Sequence, residues 1–227
     1  MTSGRTRLVG LLGHPVSGSL SPRMQNAAFA ARGLDWSYVP IDVSAHDFAD
    51  VVRALASGGY AGANVTTPHK LAAGTLAEST VPSVNTLVFA EGRIQGFSTD
   101  AAVLEGLSSE HPVVLGDGGA SVAFQAALPG ARVYARRGEW PPDVSEADLV
   151  VNATSARDEV LVELGPGQTL IDLPYPDTAT ARAAREAGAA VVSGLEVLVA
   201  QGAASFELWT GTPAPLGVMR RAVGLTA

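Results

Sequence analysis

The chain contains no cysteine and, among 227 residues, a single lysine. The missing thiols exclude disulfides, thiolate metal sites and cysteine nucleophiles, and they suit a reducing compartment, so a cytoplasmic location is expected. Aromatic residues are scarce, at 6%. No apolar run reaches the ~18 residues a membrane-spanning helix needs, and no signal-peptide core with a cleavage site opens the chain, so no membrane partner is expected. Positive charge is also in short supply: the formal net charge is -7. A phosphate backbone recruits a basic face, and none stands out here, so nucleic acid is not expected as a partner. What is plentiful is apolar residue, 47% of the chain, ample for a buried core. The length is comfortable for two small domains.

The one lysine stands out against 15 Lys plus Arg, of which 14 are Arg. Arginine stays charged at every relevant pH, whereas a lysine amine can be made to release its proton. Lys70 closes the stretch NVTTPHK, Asn64 to Lys70. An arginine-biased composition can leave one surface lysine behind by drift, so the setting of Lys70 has to decide its meaning.

That setting is an alternation of strands and helices, which defines an α/β protein. Apolar or alternating runs predict strands at Arg7–Gly13, Trp36–Val43, Gly62–Val65, Thr86–Ala90 and Arg93–Gly96. Ser21-Pro22 reads as N-cap and first turn of a helix to Ala31, ended by Gly33, and Asp47–Ala56 reads as a second helix. Asp100 is expected to open a helix to about Leu107. A second module follows, with strands at Pro112–Leu115, Ala131–Ala135, Leu149–Asn152, Thr169–Leu173 and Ala190–Ser193. Helices are expected through Leu128, at Thr178–Ala187 and at Leu195–Trp209, then a short tail helix.

Between the strand PVVL and its helix stands Gly116-Asp117-Gly118-Gly119-Ala120. A glycine turn there lets backbone approach a pyrophosphate while the helix start supplies amide donors. The spacing alone suits a tight structural turn equally well. After the next strand come Arg136 and Arg137, where a dinucleotide-binding fold reads the adenosine ribose; two bases there favour the 2′-phosphate of NADP. Asp117 brings a carboxylate to the loop, and residues 138–148, with Pro141-Pro142, leave no room for the usual crossover helix. His14 and His69, with neither Cys nor spaced acidic partners, do not make a metal site.

Together these stretches resemble the shikimate dehydrogenase family nearly end to end. GHPVSGSLSPRMQNAAF (Gly13–Phe29) is similar to its serine loop, GANVTTPHK to its lysine motif, SVNTL (Ser83–Leu87) to its asparagine motif and GFSTD (Gly96–Asp100) to its aspartate motif. GDGGA resembles its cofactor loop, VNATS (Val151–Ser155) its nicotinamide-side turn, and SGLEVLVAQGAASFELWTG (Ser193–Gly211) its C-terminal helix. The resemblance implies an N-terminal mixed α/β substrate domain, 1–104 joined by 196–227, and a shortened Rossmann-like dinucleotide-binding domain, 105–195. It implies a monomeric or homodimeric enzyme of chorismate and aromatic amino acid biosynthesis that interconverts shikimate and 3-dehydroshikimate with NADP.

Roles follow by position in that resemblance. Lys70 and Asp100 form the catalytic pair; Ser19 and Ser21 bind the substrate carboxylate; Thr66, Asn85 and Gln201 contact ring hydroxyls or the carboxylate, with Tyr175 nearby. Gly116, Gly118, Gly119, Ala120, Arg136, Arg137, Asn152, Thr154 and Gly194 face the cofactor. The chemistry is coherent: oxidising a secondary alcohol by hydride loss needs a base or relay at the hydroxyl, and lysine can serve where arginine cannot. Free lysine, at ~10.4, is too basic for that task at neutral pH unless its site lowers it or the ammonium donates while the carboxylate works. Which of the two is the base stays open. Family patterns carry His at positions 18 and 25, Asn at 98, Met at 197 and Ala at 117, where this chain has Gly18, Gln25, Ser98, Val197 and Asp117. Two other readings therefore remain: a dehydrogenase of quinate or another cyclohexane polyol acid, and a cofactor-free descendant that binds or non-oxidatively transforms a shikimate-like acid.

Overall fold

A computed structural model describes residues 4–226. The chain divides into two compact units, one running to Thr99 and resuming at Val199, the other spanning Asp100–Leu198. No helix among the described residues is long and apolar enough to cross a membrane.

The first unit holds β1 (Arg7–Gly13), α1 (Ser21–Ala31), β2 (Trp36–Asp42), α2 (Phe48–Ser57), β3 (Gly62–Val65), α3 (Lys70–Leu76), β4 (Thr86–Ala90) and β5 (Arg93–Phe97). Its sheet has the order β2-β1-β3-β4-β5. β1 runs parallel to β2 and β3, whereas β4 and β5 continue antiparallel. The short strand β3, GANV, is buried at every position, as a central strand covered on both faces must be. Leu12, Phe48, Val52, Val65 and Leu87 form one apolar cluster with α2 and α3. An aromatic set joins α1, β2 and the later part of α6 (Gly194–Thr210): Phe29 lies 5.4 Å, centroid to centroid, from both Trp36 and Phe206, and Tyr38 lies 6.1 Å from Trp209. A last helix, α7 (Leu216–Ala222), follows.

The second unit holds β6 (Pro112–Leu115), α4 (Gly119–Ala127), β7 (Arg132–Tyr134), β8 (Leu149–Asn152), β9 (Thr169–Asp172), α5 (Ala179–Glu186) and β10 (Ala190–Val192). All five strands are parallel, in the order β10-β9-β8-β6-β7. Alternate residues feed two cores, as the two-residue strand period requires. Val113, Leu115, Val150 and Leu170 enter one cluster, and Val114, Leu149, Val151 and Ile171 the other.

Two connections in this sheet lack helices. The segments after β7 and after β8 are irregular, yet they bury Val144 and Ala147, and Leu161, Val162 and Leu164, in the first of those clusters. These apolar pegs cover sheet surface that a crossover helix covers in a full doubly wound fold. The expected helix from Asp100 to Leu107 is instead a 3-10 turn, Asp100–Leu104, because Gly106, at φ +79°, turns the chain into the left-handed region. Helix α3 is the converse: it forms where no repeat announced it, seven residues long with Gly74 packed against the Pro82 carbonyl, where a Cβ would sit 2.2 Å from the oxygen.

Asp148, just before β8, fastens the entry to β6. It accepts hydrogen bonds from Ser109 Oγ at 2.5 Å, Glu110 N at 2.7 Å and His111 N at 3.0 Å. Partial burial acts to raise its pKa, but these donors outweigh it and hold the group at about 2. A carboxylate depressed on folding stabilises fully above its unfolded pKa of ~3.9 and loses that contribution as pH falls towards 2. Replacing Asp148 by Asn is expected to lower the thermal midpoint at pH 7, with the gap to the parent protein closing as pH falls from 4 to about 2; parallel curves contradict this role. Gly62 offers a packing test. A Cβ there would lie 2.2 Å from the Leu87 carbonyl oxygen and 2.5 Å from Trp209 Nε1, the two groups that share a 2.9 Å hydrogen bond. Gly62→Ala is expected to cost about 2–3 kcal/mol, read as a lower urea midpoint at unchanged slope.

Candidate active site

In the first unit the predicted residues gather where β1 and β3 end and β4 begins. Parallel strands leave such a rim open to ligands at their carboxyl ends. Gly13 closes β1 against Thr66: a Cβ on Gly13 would lie 2.3 Å from Thr66 Cγ2. Thr66 N donates to Leu12 O at 2.8 Å and His14 N to Thr67 O at 3.0 Å, so the serine loop and the lysine motif run side by side. The loop is braced from β2. Asp42 accepts from Val16 N at 3.2 Å and pairs with His14 Nδ1 at 2.5 Å. The His14 bond, then the Val16 amide, lower the Asp42 pKa.

Ser19 and Ser21 stand at the start of α1, with Ser19 Oγ accepting from Ser21 N at 3.2 Å. The expected capping role of Ser21 does not hold. Ser21 is already the first helical residue, Leu20 occupies the cap position in a helical conformation, and no side chain caps the helix start. Lys70, half-buried, is the first residue of α3, and its carbonyl accepts from Val84 N at 3.0 Å. That bond draws Asn85, next in the chain, to the same rim, and Val65 N donates to Asn85 O at 2.8 Å. His69 is fully buried, its ring stacked on Phe48 at 4.6 Å and its Nε2 at 2.8 Å from Val43 O, which makes it a packing residue.

Beneath this rim lies a buried polar network that sequence reasoning did not identify. Asn64 Nδ2 lies 3.0 Å from each of Asn85 O, Thr86 Oγ1 and Ser205 Oγ, while Asn64 Oδ1 accepts from Tyr38 OH at 2.8 Å. Asn85 is committed to Thr99: its Oδ1 accepts from Thr99 N at 2.7 Å and its Nδ2 donates to Thr99 Oγ1 at 2.9 Å. Ser205 Oγ donates to the Gln201 carbonyl at 2.9 Å, joining the predicted Gln201 to the network through α6. The backbone just ahead of Asp100 is thereby pinned, and Asp100 itself, buried, opens the second unit.

In the second unit the glycine loop and the VNATS turn meet at the point where strand order reverses, between β6 and β8. Ala153 N donates to Leu115 O at 2.9 Å, and a Cβ on Gly116, whose φ is +119°, would lie 3.1 Å from Ala153 O. Gly118 holds the cap position of α4 with no side-chain cap, and Gly119 and Ala120 form its first turn. Asn152 is buried and fully occupied: its Oδ1 accepts from Thr154 N and Oγ1, and its Nδ2 donates to Asp172 Oδ1 at 2.7 Å. Asp172, whose pKa burial raises, also accepts from Thr178 Oγ1 at 2.8 Å. The polar final residues of LVVN and TLID, paired in register, were the available signal for this link. Gly194 is required by packing, since a Cβ would lie 2.5 Å from Leu173 O and 2.4 Å from Pro174 O. Tyr175, half-buried, follows in that same loop.

Arg136 and Arg137 follow β7 as expected, and both are exposed. Arg136 pairs with Glu159 and its Cζ stands 5.4 Å from the Trp140 ring centroid. Arg137 Nε is 4.0 Å from Asp117 Oδ2, so the loop carboxylate is turned towards a guanidinium.

Comparison with known proteins gives the same picture along the whole chain. A model of the shikimate dehydrogenase substrate binding domain matches residues 11–87, and one of the shikimate 5'-dehydrogenase C-terminal domain matches 194–223. A shikimate dehydrogenase (NADP(+)) of Anaeromyxobacter sp. (strain Fw109-5) is 39% identical over 272 aligned positions, covering 98% of each chain. That alignment is longer than this 227-residue chain, so the relative carries internal residues with no counterpart here. The enzyme of the same name from Moorella thermoacetica is 38% identical, with 95% and 92% covered. Among solved structures, the shikimate dehydrogenase of Aquifex aeolicus superposes with a TM-score of 0.89 at 28% identity, over 99% of this chain and 100% of that one. Shikimate 5-dehydrogenase of Thermus thermophilus, in complex with NADP(H) and shikimate, gives 0.82 at 30% identity, over 95% and 98%. Similarity of this extent in sequence and in fold makes the chain a member of the shikimate dehydrogenase family.

Proposed function

We propose that this protein is an NADP-dependent oxidoreductase that interconverts shikimate and 3-dehydroshikimate, with the first unit as the substrate lobe and the second as the nucleotide lobe. The observation that carries the reading is the company of Lys70: the chain's one amine opens α3 on a sheet rim shared with Thr66, Asn85 and the serine loop. Hydroxyls and amides suit a polyhydroxylated carboxylic acid, because each leaves a buried group unpaired if an apolar ring enters instead.

Ser19 and Ser21 hold the substrate carboxylate, and Thr66, Asn85 and Gln201 orient the ring hydroxyls. Asn85 contributes from a fixed position, since Thr99 already engages both ends of its amide. Lys70, with Asp100 as its partner, moves the proton of the reacting hydroxyl, a task that general acid–base catalysis makes worth about 10²–10⁴ in rate. Tyr175, in the loop after β9, completes the set of substrate contacts.

The residues of the second unit fit a dinucleotide. Gly116 keeps open a backbone cradle beside Ala153 that a side chain would fill, and the uncapped start of α4 presents amide donors to a pyrophosphate. Gly118, Gly119 and Ala120 let it approach, Arg136 and Arg137 receive the 2′-phosphate, and Asn152, Thr154 and Gly194 shape the backbone of the nicotinamide side. The chemistry a nicotinamide supplies there is the acceptance or return of hydride.

Purified protein mixed with shikimate and NADP is expected to raise the absorbance of reduced nicotinamide, with quinate turned over poorly. Lys70→Met is expected to lower kcat by about 10²-fold or more while shikimate still raises the melting temperature. A variant within ~10-fold of the parent kcat removes the lysine from the proton step. Parent protein that binds shikimate without any nicotinamide reduction favours the cofactor-free alternative.

A further inference from the structure

Each arginine placed to read the cofactor's 2′-phosphate already faces a carboxylate of the protein. Arg136 pairs with Glu159, and Arg137 stands 4.0 Å from Asp117. The Arg136 contact is the closer and the less exposed of the two. Its guanidinium lies over Trp140, which packs against the core of the second unit. The backbone around Glu159 is tied to α5, with Thr180 Oγ1 donating to Glu159 O at 3.3 Å and accepting from Leu161 N at 3.0 Å. Glu159 belongs to the helix-less segment after β8, whose irregular path brings its carboxylate beside Arg136.

Charge and geometry define what this pairing does. Both partners are about half exposed, at 58% and 51% of their side-chain surface, so solvent and a ligand phosphate can reach them. An exposed pair of this kind is weak and exchanges readily, while a phosphate offers the guanidinium more charge and more acceptor oxygens. A 2′-phosphate therefore displaces the carboxylate at some cost in affinity. A ribose with a free 2′-hydroxyl carries no such charge and needs no displacement. We propose that Glu159 is a specificity-determining residue whose carboxylate competes with the 2′-phosphate for Arg136 and so narrows the preference for NADP over NAD.

The inference rests on the nucleotide-binding reading above, and direct binding separates the two. Dissociation constants for NADP and NAD, measured by calorimetric titration on the full chain without substrate, are compared among the parent protein, Glu159→Gln, Arg136→Leu and the double variant. Glu159→Gln is expected to tighten NADP about two- to five-fold and to leave NAD unchanged or weaker. In the Arg136→Leu background the same change is expected to do nothing, because the guanidinium under competition is gone. Raising the salt concentration shrinks the gain. Equal effects on both cofactors, an unchanged NADP constant, or a gain that persists without Arg136 overturns the proposal for Glu159 while leaving NADP use intact. Failure of all four proteins to bind NADP overturns both.

Discussion

A buried amide has to find partners for its carbonyl and its amino group, and Asn64 organises the substrate-side unit around that requirement. It stands on the central strand, so the groups that satisfy it come from every direction: Tyr38 from β2, Asn85 and Thr86 from β4, Ser205 from α6. Each bond is modest in water-exchanged terms, yet leaving any partner unmade in this dry setting costs more than making it gains. The arrangement therefore locks the relative positions of a sheet rim and a C-terminal helix more than it adds stability. Asn85, Thr99 and the entry to Asp100 inherit their positions from it.

The second unit applies the same rule with fewer parts. Asn152, Asp172, Thr154 and Thr178 satisfy one another across the ends of β8 and β9, holding the turn that abuts the glycine loop. The glycine loop and the VNATS turn meet there through backbone, Ala153 N donating to Leu115 O at 2.9 Å. On the two irregular connections apolar side chains, Val144, Leu161 and Leu164 among them, bury sheet surface without the regular hydrogen bonding of a helix. The chain is shorter than the relative it aligns with over 272 positions, and the glycine loop and the VNATS turn are both present in it.

Arginine and lysine are used differently along the chain. Exposed arginines are paired with acids at Arg93–Glu78, Arg136–Glu159 and Arg185–Asp177, contacts of small individual value at a solvated surface. The one lysine sits half-buried at the head of α3. A chain that uses guanidinium for charge and reserves its amine for one position separates the two tasks those cations perform.

Much of this was open to inspection in one dimension. Strands β1, β3, β4, β6 and β8 have the bounds their apolar runs announced, because Gly, Pro or Asn stands at or within a few residues of the end of each run and most of their positions are buried. The ordered motifs announced the family, and the mutual placing of the lysine and serine segments follows from parallel strands ending at one rim. Tertiary structure alone decided the rest. Helix α3 forms without a readable repeat, with Gly74 packed closely on the Pro82 carbonyl, and Ser21 does not cap α1 because the helix begins one residue earlier than expected, leaving Leu20 at the cap and Ser21 inside the first turn. The bond of Asn64 to Ser205, and that of Arg136 to Glu159, join residues far apart in sequence through strand register and loop path. No local pattern encodes such pairs, since a side chain's partner is set by the folded backbone that carries it there.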